Sequence, residues 1–286
     1  MTPPLPLPLS LSTPTPTPTP TSTSTSTSTP PPGRQRPGAC PMPQLPPLTS
    51  SHALFLDFDG TLAELAPRPD AVTVAAGLIA TLSALHTHLG GALAIVTGRP
   101  EADIDHFLAP LRLPLASEHG AQYRLAHRCQ PAIAPPGLAS VVRAARELAV
   151  QHDGLLLEHK NAGLVLHYRQ APHLERLCHD TLARAIQAAQ DLELQPGKCM
   201  LEVKPRGVHK GRAITDFMAW PPFAGRMPVF AGDDLADEAG FAAVQALGGW
   251  GIKMGAGTSI AQHRCMTPAA LRGWLSAARS HWERAI

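Results

Sequence analysis

Two carboxylates, Asp57 and Asp59, stand two positions apart in the pentapeptide Asp57-Phe58-Asp59-Gly60-Thr61, directly after the apolar run 53–56. Such a run is short enough to read as a buried strand, and the glycine turns the chain just beyond it. In an open α/β sheet, ligands bind at the carboxyl ends of strands. On its own the pentapeptide would pass for an ordinary turn. Three further groups give it company. Thr97-Gly98-Arg99 follows a second apolar run at 92–97, Lys210 precedes Gly211 at a predicted helix start, and Gly232-Asp233-Asp234-Leu235-Ala236-Asp237-Glu238 follows a third run at 227–231.

Carboxylates gathered at one sheet edge repel one another unless a cation sits among them. All-oxygen ligands favour Mg²⁺, a hard ion that keeps part of its water. A metal, a lysine, a hydroxyl and a glycine amide together can neutralise and orient a phosphoryl group. Two carboxylates two residues apart can then divide the work, one attacking phosphorus and one handling the leaving-group proton.

The elements that must position these groups alternate along the chain. Strands at 53–58, 92–97, 227–231 and Trp250–Met254 are separated by helices at 75–89, 100–107 and 236–247, with Pro268–Glu283 as a last helix. Gly90-Gly91 closes the first helix and Pro100 opens the second. The expected fold is α/β, a doubly wound parallel sheet. Between about 122 and 206 the order becomes strand, helix, strand pair, helix, strand pair, which indicates antiparallel pairing. The predicted organisation is therefore a catalytic core (51–121 and 207–286) interrupted by an α+β cap (122–206). Hinges are expected near 121–124 and 205–209.

These motifs, in this order, resemble the haloacid dehalogenase superfamily of phosphohydrolases. Several stretches resemble the trehalose-6-phosphate phosphatase family within it: Asp57 to Glu64, Thr97-Gly98-Arg99, Glu118-His119-Gly120, Glu158-His159-Lys160 with His167-Tyr168-Arg169, Leu201 to Pro205, His209 to Ile214, and Gly232 to Phe241. The family often has Ser at Thr97 and Thr at Ala236. The resemblance implies a Mg²⁺-dependent hydrolysis of trehalose 6-phosphate through an aspartyl-phosphate. Asp57 would be the nucleophile, Asp59 the acid and then base, and Thr97 with the Gly98 amide the phosphate binder. Lys210 would steady Asp57 and the phosphoryl oxygens. Asp57, the Asp59 carbonyl and Asp233 would hold the metal, with Asp234 and Asp237 behind them. Glu158, Lys160 and Glu202 would read the sugar hydroxyls, while Arg99 and His119 would line the core–cap junction. Glu158 and Lys160, two apart in a strand, share a face; a cross-strand ion pair is the plainer account of them.

Composition removes other classes. The net charge is +2 and aromatics make up 5% of the chain, so neither a polyanion arm nor a base-stacking platform is expected. Five widely spaced cysteines suit a reducing compartment, and His86 and His88 sit in a helical pattern without a zinc ligand set. No apolar run reaches the roughly 20 residues that span a bilayer. A cytoplasmic monomer acting on a small sugar phosphate is expected. The first fifty residues carry 16 of the 31 prolines and a Thr/Pro/Ser repeat, so disorder is expected there, with Met42 a plausible true start. Two alternatives share the core motifs: a sucrose-phosphate or hexose-phosphate phosphatase, and a phosphorelay receiver. The receiver needs neither Asp59 nor the acidic loop after Lys210.

Overall fold

The protein is described by a computed structural model covering residues 45–125 and 128–284. Along the core, β1 (His52–Leu56) leads to α1 (Leu78–His88), β2 (Leu93–Val96), α2 (Glu101–Leu108) and β3 (Leu115–Ser117). A hairpin of β4 (Gln122–Leu125) and β5 (Arg128–Gln130) follows. The inserted layer comprises α3 (Leu138–Gln151), β6 (Leu156–His159), β7 (Leu164–His167), α4 (Glu175–Ile186), β8 (Leu192–Gly197) and β9 (Met200–Pro205). The chain then completes the core with α5 (Lys210–Met218), β10 (Met227–Gly232), α6 (Glu238–Ala246), β11 (Trp250–Met254), β12 (His263–Cys265) and α7 (Pro268–Glu283).

The large sheet has the order β12-β11-β10-β1-β2-β3-β4-β5. Every pair from β12 to β3 is parallel. From β1 the chain moves outward through β2 and β3, and from β10 it moves the opposite way through β11 and β12. The strand order therefore reverses between β1 and β10, where such sheets open a binding crevice. All five residues of β1 are buried, as expected for a strand covered on both faces. Phe55 reaches into a ring cluster with Phe217 and Phe223, whose centroids lie 5.1–5.9 Å apart. Offset and tilted contacts of this kind add to the burial of each ring.

The helix ends follow local chemistry. Thr267 caps α7 by accepting from Ala270 N at 3.1 Å, with Pro268 at the first helical position. His209 does the same for α5, its Nδ1 accepting from Arg212 N at 3.2 Å.

Two sequence expectations need correction. β4 and β5 pair antiparallel with the large sheet, β3 to β4 to β5, so 122–130 extends the core rather than beginning the cap. Antiparallel edge strands commonly extend a parallel sheet, and sequence pattern alone does not show which sheet they join. The first crossing into the inserted layer thus lies after Gln130, not at 121–124. Residues 45–50, expected to be disordered, pack on the core: Leu48 is buried and Trp274 Nε1 donates to the Pro46 carbonyl at 3.0 Å. The expectations for residues 1–44 and for Met42 lie outside the described residues.

The inserted layer is an antiparallel sheet ordered β6-β7-β9-β8 with its own apolar core. Leu164, Leu166, Leu201 and Val203 face α3 and α4 in that core, alongside Val141, Ala145, Cys178 and Leu182. Side chains alternate across a strand, so Glu158, Val165 and Glu202 form one cross-strand row on the opposite face.

Candidate active site

Asp57 leaves the end of β1, and its amide donates to the Ala231 carbonyl of β10 at 3.0 Å. The strand end at the switch point therefore fixes its position. Lys210, in the first turn of α5, donates from Nζ to Asp57 Oδ1 and to Asp237 Oδ1, each at 2.7 Å. Thr61 Oγ1 donates to Asp57 Oδ2 at 3.1 Å. All four side chains are buried. Burial raises the Asp57 carboxyl to about 7, helped by Asp233 and Asp234 and opposed by Lys210.

The acidic loop closes against this pair. Asp237 Oδ2 accepts from the amides of Asp233 at 2.8 Å and Asp234 at 3.0 Å. Asp234 Oδ1 in return accepts from Asp237 N at 3.2 Å, a reciprocal cap at the entry to α6. Burial among like charges raises Asp237 well above the usual carboxylate range and Asp233 to about 7. Lys210, facing two of these carboxylates, is held well above its usual value despite its burial.

Asp57, Asp233 and Asp237 each offer a carboxylate oxygen, all within 4.8 Å of one another. Three hard-oxygen groups in so small a volume fit a divalent cation of the Mg²⁺ type. Asp237 already accepts three hydrogen bonds, so Asp57 and Asp233 have the oxygens to spare. Backbone makes room for them: Gly60 has φ +72°, and a Cβ there would lie 2.1 Å from Asp233 Oδ2. Lys253 of β11 donates to the Asp233 carbonyl oxygen and pins the loop from below.

Thr97 and Gly98 follow β2 on the neighbouring strand end. Thr97 is buried, and its Oγ1 accepts from Arg99 N at 3.1 Å. Gly98 is required by a close approach: a Cβ would sit 2.7 Å from His119 Nε2. Asp59 does not join the buried carboxylates. It stands at the rim in the grip of Arg99, whose guanidinium also contacts the Pro69 carbonyl and Asp103.

The inserted sheet presents its polar row to the core. Glu202 is 3% exposed, with one oxygen on Lys160 Nζ and the other 2.9 Å from His119 Nε2. Burial would raise its carboxyl, but His119 and Lys160 more than reverse this and hold it well below the usual range. Burial lowers His119 below its ordinary value against the opposing pull of Glu202, and toward an ionised Glu202 oxygen its Nε2 is the donor. His119 Nδ1 has no hydrogen-bond partner among the described residues. Glu158 lies 2.9 Å from His167 Nε2; burial would raise it, but His167, Lys160 and Arg99 hold it low.

The structure thus brings Asp57, Lys210, Asp233, Asp234 and Asp237 together, with Thr97 and Gly98 on the adjoining strand end. It places Asp59 and Arg99 at the rim, and His119, Glu158, Lys160 and Glu202 along the face of the inserted sheet. Sequence reasoning missed Thr61, Lys253 and the direct Asp237–Lys210 contact. Lys253 had a signal: a lysine inside the otherwise apolar strand Trp250–Met254 is rarely buried without a partner. Thr61 had none beyond its place in the pentapeptide.

A carboxylate–lysine–carboxylate centre at the switch point of a parallel sheet, with an inserted α+β cap, is an arrangement of the haloacid dehalogenase fold. A haloacid dehalogenase subclass IIB sugar phosphatase of solved structure shares this fold, with a TM-score of 0.52 and 16% identity over 81% of this chain and 99% of its own. The sequence model of the trehalose-phosphatase family matches residues 55–270, and the chain belongs to that family. It is 40% identical over 237 residues to the trehalose-6-phosphate phosphatase of Escherichia coli (strain K12), covering 82% of this chain and 89% of that one. A trehalose-6-phosphate phosphatase related protein of solved structure superposes with a TM-score of 0.70 at 25% identity, covering 82% of this chain and 99% of its own. The receiver alternative is set aside by membership of this enzyme family. Among the described residues, no helix is long and apolar enough to cross a membrane.

Proposed function

We propose that the chain hydrolyses trehalose 6-phosphate to trehalose and phosphate, with Mg²⁺ at Asp57, the Asp59 carbonyl and Asp233. The observation that carries this reading is Lys210 bridging Asp57 and Asp237 at the switch point, opposite a polar row on the cap. Family membership narrows the substrate to the one named for the relatives. Asp57 attacks phosphorus and forms an aspartyl-phosphate; Asp59, protonated and with one oxygen released from Arg99 when substrate is bound, gives that proton to the departing sugar oxygen. Asp59 then takes a proton from water, which attacks the aspartyl-phosphate and releases phosphate. Thr97 and the Gly98 amide hold the phosphoryl oxygens. Lys210 balances the charge on them and orients Asp57, with Asp237 and Thr61 fixing both. When bound, the cation lowers the mutual repulsion of the carboxylates and polarises the phosphoryl group. Glu158, Lys160 and Glu202 supply acceptors and donors for sugar hydroxyls, with Arg99 and His119 beside them; Glu202 also holds Lys160 in place.

The four cysteines among the described residues are unpaired, which suits the cytoplasmic location proposed here, with the protein acting as a monomer. Phosphate release should be measured from trehalose 6-phosphate, sucrose 6-phosphate and glucose 6-phosphate, with Mg²⁺ and after chelation. Trehalose 6-phosphate should be hydrolysed far faster than the others, and only with the metal. Equal slow release from all three would leave a sugar phosphatase of another specificity.

A further inference from the structure

Glu118 has no part in the chemistry above, yet it is buried and fully bonded. It lies in the turn between β3 and β4, and with its neighbour it makes two consecutive left-handed residues, Glu118 at φ +48° and His119 at φ +60°. Residues with a Cβ adopt this conformation only where the surroundings impose it. Here the backbone is tied to the phosphate loop. Glu118 N donates to the Arg99 carbonyl at 3.1 Å, and His119 N donates to the Thr97 carbonyl at 2.8 Å.

The Glu118 side chain reaches the other way, into the cap. Its Oε1 accepts from Asn161 N at 2.9 Å and Asn161 Nδ2 at 2.8 Å, and its Oε2 accepts from Ala162 N at 2.8 Å. Two successive backbone amides and a side-chain amide thus surround one carboxylate that is 3% exposed. Charge-assisted bonds to an ionised acceptor are the stronger kind, and consecutive amides form an anion cradle. The cradle is the turn joining β6 to β7, closed by Lys160 N donating to the Gly163 carbonyl at 3.0 Å. Lys160, on that turn, reaches back to Glu202. One two-residue strap therefore bonds through its backbone to the loop proposed to hold phosphate, and through its side chains to the β6–β7 turn and to Glu202 of β9.

We propose that Glu118 is a positioning residue that couples the Lys160 turn of the cap to the Thr97–Arg99 phosphate loop, so that catalysis on a sugar phosphate depends on it and catalysis on a small phosphate ester does not. A buried interlayer contact of purely structural importance would affect both substrates alike. The inference rests on the proposed function for its choice of substrate, but the latch itself is independent of that choice.

The test compares wild type with Glu118→Gln, which is nearly isosteric but turns an acceptor toward a donor, and with Glu118→Ala. kcat and KM are measured for trehalose 6-phosphate and p-nitrophenyl phosphate with Mg²⁺, and hydrogen exchange is followed at Asn161 and Ala162. kcat/KM for trehalose 6-phosphate should fall roughly 10- to 100-fold, within the range usual for coupling between sites. kcat for the aryl phosphate should stay within about twofold, and both amides should exchange faster. An equal loss on both substrates, or no loss on either, overturns the proposal. If wild type hydrolyses only the aryl phosphate, the proposed function fails. The exchange measurement then decides the latch alone: faster exchange in the variants supports it and unchanged exchange removes it.

Discussion

Arg99 grips both carboxylate oxygens of Asp59, from Nε at 2.6 Å and from Nη2 at 2.8 Å. The guanidinium lies 5.0 Å from the centre of the Phe107 ring, so its plane is set by packing as well as by charge. Arg99 thereby fixes where the proposed acid–base carboxylate points. Lysine carries the same charge but lacks the two-pronged geometry. Arg99→Lys should lower kcat on trehalose 6-phosphate roughly 10- to 100-fold, the effect of losing about 1.5–3 kcal/mol from one charged hydrogen bond. Unchanged kcat would mean that Asp59 positions itself without the fork.

Asp57→Asn removes the proposed nucleophile while easing repulsion among the buried carboxylates. Lys210 keeps its 2.7 Å contact with Asp237, so folding should survive, with stability within about 1 kcal/mol of wild type. Turnover should fall by about 10⁴-fold or more, as when other covalent catalysts lose their nucleophile. Steady-state kinetics and a urea melt check both halves. A variant that retains a tenth of the activity would exclude a covalent intermediate at Asp57.

Gly60→Ala adds a single methyl group. That carbon would lie 2.1 Å from Asp233 Oδ2, on a backbone with φ +72°. The left-handed conformation costs about 1–2 kcal/mol for a residue with a Cβ, and the Asp233 carboxylate must shift from its place. Mg²⁺ dependence of the rate is the sensitive readout. The half-saturating Mg²⁺ concentration should rise while the melting temperature falls modestly.

Glu202→Gln leaves Lys160 buried without its counter-charge. Breaking one side of a buried pair typically costs about 3–5 kcal/mol, and the retained amide hydrogen bonds should soften this to roughly 2–3 kcal/mol. Chemical denaturation measures it directly. A loss under about 0.5 kcal/mol would show that Lys160 finds water or another acceptor.

Stability should also depend on pH through His119. Burial lowers its folded pKa below the ordinary value of 6.5, so the unfolded chain binds the proton first as pH falls. The stabilisation is complete above about pH 6.5 and is lost as pH drops through the lower folded value. Glu202 acts in the same sense but only in the acid range below its ordinary 4.5. Asp57 and Asp233, raised to about 7, act in the opposite sense over the same range, so the His119 contribution is read as a difference between two proteins. Between pH 8 and pH 5.5 the urea midpoint of wild type should fall relative to that of His119→Gln; parallel curves for the two proteins would mean that His119 contributes nothing.

Much of this was readable from the chain because the decisive residues follow strands. Asp57, Thr97 and Asp233 each stand just beyond an apolar run, and the runs themselves mark the sheet. Trp250–Met254 and Pro268–Glu283 match their expected bounds, the first as a fully buried strand and the second between a Thr cap and the chain end. The sheet to which β4 and β5 belong was not readable, since both hydrogen-bonding edges look alike in sequence. Neither was the place of Glu118, whose partners are 43 and 44 residues away. The short β3 and β12, three residues each, fall below what periodicity can mark.

β1 lies between β2 and β10, so one flank of the earliest strand is supplied by one of the last. During synthesis β1 gains its first neighbour early, but its other edge stays open until residue 227 has been made. Lys210, which neutralises Asp57, is 153 residues downstream of it. Parallel pairing over such separations closes slowly, because the loop entropy is lost before the contact forms. The inserted layer has its own apolar core and can fold in the interval. A chain that stops before Lys210 would therefore hold every cap residue proposed to read the sugar and still lack a hydrolytic centre.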